Sequence, residues 1–256
     1  MKPFLAMIRK EVMEQARSGR GLVLAAVFVL LGIMNPAVAK LTPALLSMMA
    51  DSLQGSGILV TSVTVTAMDS WVQFYKNIPI GLIVFILLES GIFTREYQTG
   101  TLLLLVTKGL DRRWVVLSKA AVLIVLWTGC YWLCFGITYV YTAYFWDQST
   151  VQNLLFAAFC WWMYGLWTIA AAVLFSSVSA SPSGVLLGTG GAALAVFLLG
   201  QFPRAGRFLP AKLSDGTSLI FGVTEAGSCI PALLTATGMT LIFLLLSLVL
   251  FRRKQL

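Results

Sequence analysis

A chain of 256 residues that is 59% hydrophobic and only 11% charged lies far from the soluble average, where roughly a quarter of residues carry charge. It has no histidine, which removes the commonest general base, the Ser-His and Cys-His nucleophile pairs and most zinc sites. The net charge of +8 comes from lysines and arginines flanking apolar runs, a pattern that suits anionic lipid at a membrane surface and not nucleic acid.

Residues 1–20 read as an interfacial helix. At about 100° per residue, Phe4, Leu5, Ile8, Val12 and Ala16 share one side, and Arg9, Lys10, Glu14 and Arg17 the other. Such a helix lies along the headgroups, either as an anchor or as a lever joined to a cytosolic partner. Apolar segments follow at about 21–39, 78–94, 114–140, 153–175, 184–201 and 229–251. At ~1.5 Å per residue the first extends roughly 28 Å, enough for the hydrocarbon core. Ala37-Val38-Ala39 resembles a leader-cleavage site, but the segment before it is long and carries Glu11 and Glu14, so the first span is expected to remain uncleaved. The runs are continuously apolar and do not alternate, which excludes a barrel. The expected fold is all-α: an integral membrane protein of six transmembrane helices preceded by an amphipathic interfacial helix.

Lysine and arginine counts set the orientation. With the N-terminus inside, that face holds Lys2, Arg9, Lys10, Arg17, Arg20, Arg95, Lys108, Arg112, Arg113, Lys119, Arg252, Arg253 and Lys254. Only Lys40, Lys76, Arg204, Arg207 and Lys212 fall outside. Both termini are therefore expected in the cytoplasm, with residues 41–76 as a long external loop whose β-branched run Val60–Thr66 suits a small cap.

Few polar residues lie inside the spans. Glu89 is the carboxylate within the second, and a charge at the bilayer centre costs ~2.5–3.5 kcal/mol on insertion scales. It either couples to a proton or cation, or pairs with Arg95 or Lys119 near the inner surface. Trp161 and Trp162 lie deep in the fourth span and either pack between helices or line a cavity for a greasy, flat or cationic substrate. Cys130, Cys134, Cys160 and Cys229 lack metal-ligand spacing and read as small packing residues. Gly184 and Gly188 form a small-xxx-small pattern that permits close helix contact, a candidate dimer contact. No catalytic residue and no metal site emerges.

The loop 95–113 is the most distinctive segment. Gly100 breaks the second span, Thr101 can cap a new short helix, and Leu102, Leu103, Leu104, Leu105 and Val106 form its apolar body. Gly109 suits the left-handed stop, and Asp111 can cap the third span with Arg112, Arg113 and Lys119 at the headgroups. Four consecutive leucines at a cytoplasmic face need a partner, protein or membrane.

This loop resembles that of the type-2 permeases of ATP-binding cassette (ABC) transporters. There a Glu-x-x-x-Gly-Thr motif ends the second span, a coupling helix and a basic residue follow, and a lysine opens the third span. The matching residues are Glu96, Gly100, Thr101, Arg112 or Arg113, and Lys119. The chain departs from the family in having Gly109-Leu110-Asp111 where proline and serine are common before the basic residue. The resemblance implies one transmembrane permease domain over 1–256 in a bacterial cell membrane. Its implied partners are membrane lipid, a second permease copy or paralogue, and two copies of a separate ATPase subunit. ATP and magnesium would bind that subunit. This chain has no Gly-x-x-x-x-Gly-Lys-[Ser/Thr] loop, needs no cofactor of its own and is not by itself an enzyme. Residues 202–228, with Pro203 and Pro210, look similar to the family's re-entrant gate helices.

The leading function is export of an amphiphile such as a peptide antibiotic, drug or lipid. A secondary transporter or channel using Glu89 is the alternative, and a passive immunity or assembly protein a further one.

Overall fold

Without water, each backbone amide in the hydrocarbon must find its partner within its own segment, and helices do this throughout. The computed structural model describes residues 2–53, 64–94 and 111–253. Its main helices are α1 (Lys2–Ser18), α2 (Arg20–Leu53), α3 (Ala67–Glu89), α4 (Arg112–Phe145), α5 (Leu154–Val178), α6 (Pro182–Gly200) and α7 (Ile230–Arg253). Six helical segments, one on each of α2 to α7, are long and apolar enough to cross a membrane, and no strand occurs among the described residues. Gly19, at φ +69°, turns the chain from α1 into α2, a conformation that costs a residue with a Cβ.

Helix boundaries follow local chemistry. The Asp111 carboxylate accepts from the backbone N–H of Arg113 at 3.0 Å and caps α4. Ser181 caps α6 through the N–H of Gly184, with Pro182 at the first turn. Two expectations need correction. The first apolar segment extends to Leu45, and its helix continues to Leu53 despite Pro36 and Pro43 within it. The second begins at Ala67, not near Ile78. Most of the proposed external loop 41–76 is therefore helical, and residues 54–63 lie outside the described part. Hydropathy misses the start of α3 because Asp69, Gln73, Lys76 and Asn77 interrupt it. The buried face of that turn-by-turn pattern is Ala67, Ser70, Trp71, Phe74 and Tyr75. Asp69 also accepts from the backbone N–H of Thr66 at 2.8 Å, closing the helix start.

The core runs along α4, which touches α1, α2, α3, α5 and α7. Trp127 lies edge-on to Phe28 of α2 and Phe85 of α3, with centroids 5.9 and 5.6 Å away. Gly165 of α5 admits that indole, since a Cβ there would overlap it. Tyr131 donates its hydroxyl to the carbonyl of Ala158 at 2.7 Å. A polar ladder links α3, α2 and α4: Asn77 donates to Asn35, Asn35 to Thr138, and Thr138 to the carbonyl of Gly32. The four cysteines are buried and free.

Between α6 and α7 the chain folds back on the bundle in short turns, Pro203–Gly206, Pro210–Ser214, Gly216–Ile220 and Ala226–Cys229. Leu213, Leu219 and Ile220 are fully buried, Gly216 packs on the Tyr75 ring, and Thr235 donates to the carbonyl of Phe208. Irregular backbone is tolerated here because protein covers it.

Candidate functional site

α1 meets the end of α3 and the start of α4 through side chains one turn apart. Glu11 is 2% exposed and Lys119 0%. The Lys119 ammonium donates to Glu11 Oε2 at 2.9 Å and lies 5.7 Å from the centroid of the Phe93 ring. Lys10 reaches Glu11 Oε1 from the edge at 3.2 Å. One turn further along α1, Gln15 donates to Glu89 Oε2 at 2.7 Å, and Arg20 places a guanidinium nitrogen 3.9 Å from the same oxygen. Charges so far from water persist only when paired and hydrogen-bonded.

This arrangement corrects the placement of Lys119. Its ammonium is buried beneath α1 and paired with Glu11, and does not stand exposed at the end of α4. Glu89, 4% exposed, is held by Gln15 and Arg20, whereas Arg95 and Lys119 were the partners suggested by sequence; Arg95 lies outside the described residues. Glu11, Gln15 and Arg20 were missed. A signal for Glu11 exists, since it follows Phe4 and Met7 at helical spacing, on the side of α1 away from Arg9 and Arg17.

The second feature is a groove of about 510 Å³ between α3, α5 and α6. Pro79, Leu82 and Ile86 of α3 face Trp161 and Tyr164 of α5 across it, and no charged side chain among the described residues lines it. Trp161 is anchored by donation of its indole N–H to the carbonyl of Ser214 at 2.8 Å. Thr189 of α6 also lines the groove. It is 3% exposed, and its hydroxyl has no partner among the described residues. Trp162 points elsewhere: its indole N–H donates to Thr128 of α4 at 3.2 Å, and its carbonyl accepts from Trp127. The adjacent tryptophans thus divide, one on the groove and one in the α4–α5 contact.

Gly184 and Gly188 contact their own chain. A Cβ on Gly188 would overlap the Phe175 ring of α5, and one on Gly184 the Ser179 hydroxyl. The close approach they permit here is within the chain, between α6 and the end of α5. Gly190 and Gly191, with no atom within 4 Å of an added Cβ, hold the open small-residue positions on α6.

Glu96, Gly100, Thr101, Leu102, Leu103, Leu104 and Leu105 lie outside the described residues. Of the expected coupling set, Arg112 and Arg113 are seen in the first turn of α4. Arg113 is exposed, and Arg112 Nη1 reaches the carbonyl of Arg252 on α7 at 3.4 Å.

Residues 5–220 match the profile of the family described as "ABC-2 family transporter protein". The chain is also similar to the uncharacterized transmembrane protein YxlG of Bacillus subtilis (strain 168). The two are 23% identical over 221 residues, which is 83% of either protein. A match over most of the chain, on a bundle of six apolar helices, makes this a multi-pass membrane protein of the ABC-2 transporter family: a permease component of an ABC transporter, which implies association with an ABC ATPase subunit.

Proposed function

We propose that this permease exports an amphiphile across a bacterial cell membrane, driven by ATP and magnesium bound to two separate ATPase subunits. The observation that carries the cargo assignment is the α3–α5–α6 groove. Its uncharged wall and the aromatic faces of Trp161 and Tyr164 suit an apolar body, while the unpartnered Thr189 hydroxyl suits one polar group on it. A polyanion would find no counter-charge there. Glu89, fixed by Gln15 and Arg20, serves as a buttress of the inner end.

Coupling enters through the loop 95–113, both termini being cytoplasmic. Its leucines dock in an apolar cleft of the ATPase, while Glu96, Arg112 and Arg113 set register at the rim. Lys119 acts one step behind: by locking α1 to α4 through Glu11, it makes the two helices move as one lever about Gly19. A second permease, copy or paralogue, completes the pathway, with the open face of α6 at Gly191 available for contact.

The test is reconstitution with the cognate ATPase. Leu103→Asp/Leu104→Asp should abolish co-purification of the ATPase, because two carboxylates would face an apolar cleft. Ala193→Trp, in the groove wall, should keep the ATPase bound but abolish stimulation of hydrolysis by amphiphilic peptides and their uptake into inside-out vesicles. ATPase recovery at wild-type yield with the aspartate pair overturns the coupling assignment. Undiminished uptake by Ala193→Trp overturns the groove as the cargo site.

A further inference from the structure

A second groove, of about 550 Å³, opens between α4 and α7 at the end of the bundle where α4 begins and α7 finishes. Leu245, Leu248 and Val249 form its wall, and Arg113 and Arg252 stand at its mouth. Both arginines are exposed, and neither has an ion pair with any described residue. The one carboxylate at this turn, Asp111, accepts from the backbone N–H of Arg113 as the α4 cap. Arg112 spans the mouth to the carbonyl of Arg252 and so ties the two helix ends that define it. We propose that this groove binds an anionic glycerophospholipid of the inner leaflet.

The chemistry specifies the class. A guanidinium presents a planar fork of N–H donors that matches phosphate oxygens, and two from different helices converge on one opening. From the level of Arg252 the wall descends past Leu248 to Leu245, about 10 Å of helix at ~1.5 Å per residue, and is apolar throughout. A free phosphate would use the mouth and leave the wall empty. A lipid uses both, with its phosphodiester between the arginines and its acyl chains along α7. Basic pockets between helix ends at the cytoplasmic side recognise anionic headgroups in this way. The leaflet rests on the orientation proposed above; occupancy of the groove does not.

The experiment is native mass spectrometry of the permease purified without its ATPase and titrated with phosphatidylglycerol or phosphatidylcholine of matched chains. Its outcome is therefore independent of coupling. Wild type should retain phosphatidylglycerol preferentially. Arg252→Gln should weaken retention about fivefold, the worth of one arginine near the surface, and Arg113→Gln/Arg252→Gln about twenty-five-fold. Leu245→Trp fills the groove from an exposed position, keeps both charges and should also abolish retention. Three outcomes would overturn the site: equal retention of the two lipids, unchanged phosphatidylglycerol in the double variant, or unchanged phosphatidylglycerol with Leu245→Trp. The last would mean diffuse attraction without a seat. All three variants alter exposed side chains, and an unchanged melting temperature confirms that the fold is intact.

Discussion

The joint of α1 with α3 and α4 and the groove between α3, α5 and α6 belong to one bundle yet treat polarity in opposite ways. At the joint, Glu11, Lys119, Glu89, Gln15 and Arg20 are concentrated in a region closed by packing. In the groove, which is open, no charge appears and one hydroxyl is left without a partner among the described residues. Buried charges hold each other in a single geometry because separating them in a low dielectric is costly. An uncharged groove imposes no such geometry and leaves room for a ligand. The joint therefore marks where helices are fixed together, and the groove where something else is to fit.

Breaking the joint should have the largest effect. Lys119→Met leaves the Glu11 carboxylate with Lys10 at its edge, and removing one member of a buried pair costs roughly 3–5 kcal/mol. The variant should be recovered in poor yield and aggregate at a much lower temperature in a detergent thermal-shift assay. Glu11→Gln/Lys119→Met should recover most of the loss, since no lone charge remains. Equal damage from single and double variants would mean that the joint does not act as an ion pair.

On the groove side, Gly188→Leu tests whether α6 is held by α5. The added side chain overlaps Phe175, and overpacking typically costs about 1–3 kcal/mol. A moderate drop in melting temperature should precede any change in oligomeric state. A variant that is fully stable but dissociates in cross-linking would place Gly188 at the dimer contact.

The smallest effect is expected at Glu89→Gln. The amide can still bond to Gln15, while the long contact to Arg20 at 3.9 Å loses its charge, worth about 1 kcal/mol or less. Transport should persist with a slight loss of detergent stability. Abolished transport in a stably folded variant would move Glu89 from buttress to pathway.

How much of this was legible in sequence depended on range. The six spans and the amphipathic α1 were readable because hydropathy and periodicity are local, and the Asp111 cap because its partner is two residues away. The start of α3 was not, since polar residues at Asp69, Gln73, Lys76 and Asn77 mask an amphipathic helix from any average. Trp161 and Trp162 were indistinguishable as neighbours. Their roles separate only because one indole meets Ser214 and the other Thr128.

The sequence by itself determined that this chain lives in a membrane, as six helices with a basic loop of ABC-2 permease character. Hydrocarbon offers the backbone no other partner, and charge near the spans must stay at their ends. Only the tertiary structure decided which charges were exceptions. Lys119 and Glu11 are 108 positions apart, and nothing local to either predicts the meeting. It follows from α1 folding back over α4 at Gly19, which brings the Glu11 carboxylate to the buried Lys119 ammonium. Gly188 likewise declared a close contact by its size, and only the packing of α6 on α5 showed that its neighbour is Phe175 of the same chain.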